Sequence, residues 1–111
     1  MSTLSTHVLD TMHGRPAAGM AVVLSARDGE ISRGTTDADG RCPGLVPADL
    51  APGRYALRFA VADYFRGLGV ALPDPPFLDD VTVDFGIAGD GGHYHVPLLV
   101  SPYGYSTYRG S

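Results

Sequence analysis

Arg54-Tyr55-Ala56-Leu57-Arg58-Phe59-Ala60-Val61 is the stretch that decides the fold class. Tyr55, Leu57, Phe59 and Val61 share one face, and Arg54, Ala56, Arg58 and Ala60 share the other. That is the two-residue period of a half-buried strand. The period returns in Val81, Val83, Phe85 and Ile87, which alternate with Thr82, Asp84 and Gly86. It returns again between Met20 and Arg27, where Val22 and Leu24 face one way. Thr6 to Asp10 is a short extended run. Asp28-Gly29 signals a two-residue hairpin, with Glu30 to Asp37 as the returning strand. Gly34, inside that strand, is read as a bulge. Asp37-Ala38-Asp39-Gly40-Arg41 is a tight turn with Gly40 suited to positive φ. Ala62 to Gly69 is the one helical stretch. Tyr94, Val96 and Leu98 alternate with His93, His95 and Leu99 on a strand that Pro97 confines to an edge or bulge. Tyr105 to Arg109 is the last strand. Short β runs between regularly spaced Gly and Pro predict an antiparallel sandwich or barrel.

A length of 111 residues implies a single domain spanning 1–111. Its net charge is −4, and all eight basic residues are scattered arginines. The chain therefore carries no basic patch for nucleic acid or an anionic membrane. Without lysine it has no Schiff-base or P-loop chemistry. The lone Cys42 makes no intrachain disulfide, which suits a reducing compartment. No apolar run is long enough to cross a membrane as a helix, and no secretory signal is visible. The expected location is the cytoplasm.

His93 and His95 stand two apart on a predicted strand, so both point to one face. Such a pair can supply two ligands to zinc, with His7 as a third, or a general base. It can equally be a solvated polar face. Alone, His7 reads as structural and Arg41 as a surface arginine. His13 lies in a loop with no evident partner. Cys42 lacks the electropositive setting of a catalytic thiolate. No Gly-x-Ser-x-Gly elbow surrounds Ser101, Ser106 or Ser111.

Several motifs together carry a resemblance over essentially the whole chain. They are Leu4-Ser5-Thr6-His7-Val8-Leu9-Asp10, Gly14-x-Pro16-Ala17, Thr36-x-x-x-Gly40-Arg41, Tyr55-x-Leu57-x-Phe59, Tyr64-Phe65, and the run from His93 to Ser111. In these the chain resembles the 5-hydroxyisourate hydrolases, the transthyretin-like proteins of purine degradation. The resemblance implies an all-β, transthyretin-like sandwich of two four-stranded sheets with one short helix. It implies a homotetramer, a dimer of dimers, with sites in the channel between dimers. The substrate implied is the small molecule 5-hydroxyisourate, opened by water with no cofactor and no metal. By matched motif, His7, Arg41, His95 and Ser111 are expected to be catalytic. His7, Arg41 and Tyr108 are expected to bind substrate. A transthyretin-type carrier of small molecules, without catalysis, is the alternative. The terminal Tyr108-Arg109-Gly110-Ser111 weighs against it.

Overall fold

The computed structural model describes residues 2–46, 49–89 and 91–110. The elements are β1 (Thr3–Asp10), β2 (Arg15–Pro16), β3 (Ala21–Ala26), β4 (Gly29–Thr35), β5 (Gly53–Ala60), α1 (Val61–Gly67), β6 (Asp80–Ile87), β7 (His93–Ser101) and β8 (Gly104–Thr107). They build two four-stranded sheets, ordered β2-β1-β7-β8 and β4-β3-β5-β6. This is the expected sandwich. Alternation puts Leu4, Val8, Tyr94, Val96, Leu98 and Val100 of the first sheet against Val22, Leu24, Leu57, Phe59 and Val81 of the second. All of them are buried, and this layer is the core. Helix α1 starts directly where β5 ends. It buries Tyr64 and Phe65, with Asp63 in its first turn and Arg66 in its last, as the helix dipole favours. No helix among the described residues is long and apolar enough to cross a membrane.

Four local expectations need correction. The sandwich is not wholly antiparallel: β1 and β7 run parallel from Thr3↔His93 to Asp10↔Val100. The hairpin turn is Arg27-Asp28, because Gly29 already pairs with Ala26. Gly34 is not a bulge; it pairs in register with Val22, and the register shifts at Leu24/Ser25 instead. Gly34 is small for another reason, since a Cβ there would lie 2.8 Å from the Cys42 sulfur. Lastly, β7 is an interior strand despite Pro97. Pro97 C=O accepts from Thr107 Oγ1 at 2.7 Å, so its N faces the same side, just where β8 has ended. The missing N–H therefore interrupts the pairing only between Thr107 and the Gly110 bridge to His95.

His13 also proves to have a partner. Strand β1 ends on Asp10, which is fully buried. Its carboxylate accepts from His13 N–H at 2.9 Å and Tyr64 O–H at 2.8 Å, and it pairs with His13 Nδ1 at 2.6 Å. Burial pushes the Asp10 carboxyl up, but these hydrogen bonds and the imidazole's charge outweigh it and hold the group below the usual range. Burial, and then the same contact, pushes the Tyr64 phenol up to about 12. Asp10 thus ties the end of β1 to α1. A carboxyl held low stabilises the fold above its ordinary titration range and loses that effect as pH falls through its folded value. Asp10→Asn should therefore cost about 1–3 kcal/mol at pH 7. In urea unfolding the gap to the parent should narrow as the pH is lowered through 4; a gap independent of pH would contradict this.

Candidate active site

Parallel pairing sets the chemistry of the first sheet's outer face. The register Thr3↔His93, Ser5↔His95 and His7↔Pro97 lays hydroxyls beside imidazoles. The intervening residues Leu4, Thr6, Tyr94 and Val96 point into the core, so the histidines point out. Thr3 Oγ1 meets His93 Nδ1 at 2.5 Å. Ser5 Oγ meets His93 Nε2 at 2.9 Å and His95 Nδ1 at 2.7 Å. Ser5 has one hydroxyl proton, so it donates to one ring and accepts from the other. When it donates to His93, His95 carries its proton on Nδ1 and leaves Nε2 as a bare lone pair. That is the form a general base requires.

Arg41 reaches the same face through a tight turn. Asp37 Oδ1 accepts from Asp39 N–H at 2.9 Å and Arg41 N–H at 3.1 Å. Gly40 takes φ 76° and donates its N–H to Asp37 C=O at 2.9 Å. Its C=O accepts from Val8 N–H at 2.8 Å, and Arg41 forms an antiparallel bridge with His7. A Cβ at Gly40 would lie 2.4 Å from Val8 O and 3.2 Å from the His7 ring, so only glycine lets the turn close on β1.

The end of the chain closes the other side. Gly110 N–H donates to His95 C=O at 2.7 Å. A Cβ on Gly110 would come within 2.5 Å of His95 Cδ2, so the glycine backbone lies against the imidazole. Tyr108 is 60% exposed. Ser111 lies outside the described residues.

Electrostatically, His95 is held below the usual histidine range, first by burial, then by the charges of Arg41, His7 and His93. The neutral form of the ring is thereby favoured. The β1–β7 register and the Arg41 bridge to His7 place His7, Arg41 and His95, three of the residues expected to act, on one sheet face. Both ring nitrogens of His93 already face hydroxyls, and among the described residues no group of three His, Cys, Asp or Glu is placed to hold a metal. Burial and the nearby Asp37 charge push the Cys42 thiol up, which disfavours its thiolate. A cavity of about 280 Å³ lined by Ser5, Asp37 and Arg41 adjoins the cluster. A larger one, about 820 Å³, sits on the second sheet around Arg54, Tyr55 and Phe85; neither cavity is lined by a histidine. Ser5, Thr3 and Gly110 were not singled out from sequence. A β1 pattern of alternate hydroxyl residues, Thr3-x-Ser5, was the available signal, but its use depends on the partner strand.

Fold and site together define a small β-sandwich with an imidazole–guanidinium cluster on the outer face of one sheet. The family model "HIUase/Transthyretin family" matches residues 4–110. The chain belongs to that family. It is 54% identical over 115 residues to a 5-hydroxyisourate hydrolase of Caulobacter vibrioides, covering 100% of both chains. A solved 5-hydroxyisourate hydrolase of Klebsiella pneumoniae superposes with a TM-score of 0.88 at 40% identity, with 100% of both chains covered. An (S)-allantoin synthase superposes with a TM-score of 0.90 at 39% identity; 99% of this chain covers 44% of that one.

In an imidazole NMR titration, His95 should titrate below the ordinary histidine range. Arg41→Ala removes one positive neighbour and should raise it only part of the way, because burial is the larger cause. A His95 titration that stays put or falls in this variant would contradict the arrangement.

Proposed function

We propose that this chain is a 5-hydroxyisourate hydrolase. The observation that carries the reading is the half-buried His95, set with His7 and Arg41 on one outer sheet face. The names of its full-length relatives support it. The reaction adds water to a carbonyl carbon of the six-membered ring. His95 Nε2, with His7, holds the water and takes one of its protons as the C–O bond forms. The carbonyl oxygen gains negative charge, and the Arg41 guanidinium stabilises it. The C–N ring bond then breaks, its nitrogen takes the proton back from the histidine, and the new carboxylic acid of 2-oxo-4-hydroxy-4-carboxy-5-ureidoimidazoline gives its remaining proton to solvent as the product departs as a carboxylate. In our reading Tyr108 offers its ring and hydroxyl to the flat heterocycle, and Ser111 positions water or passes a proton. No step calls on a metal or redox cofactor.

We assign the assembly as a homotetramer, a dimer of dimers. Edge strands β6 and β8, and the exposed Tyr103, Tyr105 and Phe77, support a partner chain. The site lies open on a sheet face, as it would before a second chain covers it. The half-buried thiol Cys42, without a disulfide partner, suits the cytoplasm. The carrier alternative needs an apolar lining, whereas this face presents three imidazoles and a guanidinium.

Freshly generated 5-hydroxyisourate should lose its absorbance far faster with the protein than in buffer. His95→Ala and Arg41→Ala should each lower kcat/KM by about 100-fold or more while keeping the fold. Full turnover in either variant would contradict the assignment. The rate should fall in acid as His95 takes a proton, with its limb below the ordinary histidine range; a profile flat from pH 5 to 9 would exclude a histidine base.

A further inference from the structure

Arg109 is a second arginine near the site, and its geometry differs from that of Arg41. Strand β8 pairs Thr107 with Leu98, and Gly110 bridges to His95, three residues further on in each direction. The register is therefore unbroken, and it sets Tyr108 opposite Pro97 and Arg109 opposite Val96. Pro97 has no N–H for the Tyr108 carbonyl, so the segment is held at 107 and 110 with a gap between. Alternation sends Tyr108 and Gly110 to the outer face with Pro97 and His95. It sends Arg109 to the other face, with buried Val96 and Tyr94. There the guanidinium carbon stands 4.0 Å from the centroid of the Tyr94 ring. Arg109 Nη2 also donates to His93 C=O at 3.4 Å. The Tyr94 hydroxyl accepts from Ala88 N–H at 3.1 Å, which fixes the ring against the second sheet's β6 end.

We infer that Arg109 is a positioning residue: by stacking on Tyr94 on the far side of the sheet, it holds 108–110 across the Pro97 gap and keeps Gly110 against His95. Arg109 does not touch substrate. It acts through two neighbours in the chain, Tyr108 and Gly110. The anchor is needed because a proline deletes the ladder bond that would otherwise hold this stretch. A cation over an aromatic face supplies a comparable attraction, and a planar guanidinium stacks where an ammonium does not. With the anchor gone, the Gly110 backbone leaves the imidazole and water reaches His95. The groups that face His95 are Ser5 and His7 from β1, His93 from its own strand, and Arg41 from the 37–41 turn. None of these changes when Arg109 is replaced.

The test uses the intact chain with Arg109→Ala, Arg109→Lys, Tyr94→Leu and Tyr94→Phe. Thermal scans check that each variant is folded. In the imidazole NMR titration, His95 should move up toward the ordinary histidine range in Arg109→Ala and Tyr94→Leu. It should stay at its parent position in Tyr94→Phe, which keeps the ring. Arg109→Lys should fall between. This arm needs no substrate. The turnover arm rests on the hydrolase reading: kcat/KM should fall roughly tenfold in Arg109→Ala, and the double variant with Tyr94→Leu should be no worse than either single one. The acid limb of the rate profile should move up with the His95 titration. An unmoved His95 titration in a folded Arg109→Ala protein overturns the inference, and if turnover is lost as well, Arg109 contacts substrate directly. Additive losses in the double variant also overturn it. A parent protein with no turnover at all would overturn the hydrolase reading alone, while the titration would still decide the role of Arg109.

Discussion

The parallel pairing of β1 with β7 is the constraint on which the rest depends. It joins the start of the chain to a segment some ninety residues later, as in Ser5↔His95. One register does two things. Inward, it stacks Leu4, Val8, Tyr94, Val96 and Leu98 into the core. Outward, it interleaves Thr3, Ser5 and His7 with His93 and His95. Because strand side chains alternate with period two, a one-residue slip would bury the histidines and expose the core. The hydrophobic layer therefore enforces the alignment of these hydroxyls and imidazoles.

The same face shows how one basic group is tuned. His95 is not merely surrounded by positive charge; it is first buried, and the Gly110 backbone against its ring contributes to that burial. Ser5 shares its one hydroxyl proton between the two imidazoles, so the tautomer of His95 is coupled to that of His93. Arg41 lowers the affinity of His95 for a proton, and in our proposal it also meets the developing oxyanion. Its own place follows from a turn that only Gly40 permits. Two glycines, one beside His7 and one beside His95, thus allow backbone to approach the two imidazoles more closely than any side chain would.

Much of the fold was legible in the sequence because its signals are local. The alternation in 54–61 and 81–87 located β5 and β6, and Asp37 to Arg41 announced its turn. What escaped reading was non-local. Parallel pairing leaves no mark within β1 or β7, so Ser5 could not be matched to His95. Pro97 argued for an edge strand, and only the position where β8 stops explains its place in an interior one. Gly34 was read as a backbone irregularity, whereas its smallness answers to the sulfur of Cys42 in a different segment. His13 lacked a partner in sequence terms although Asp10 stands three residues away, since the contact depends on a buried turn and on Tyr64 of α1. The site residues themselves came from resemblance over the full chain. Spacing alone yielded only the pair His93 and His95, and it left their chemistry open.

The central claim is that the outer face of β1 and β7 is where a purine-derived ring is bound and opened. A structure of the protein with a flat, non-hydrolysable purine analogue tests it most directly. The account predicts the ring beside His7 and His95, with a carbonyl oxygen directed at the Arg41 guanidinium. An analogue seated instead in the cavity around Arg54, Tyr55 and Phe85, with the histidine face empty, would contradict it.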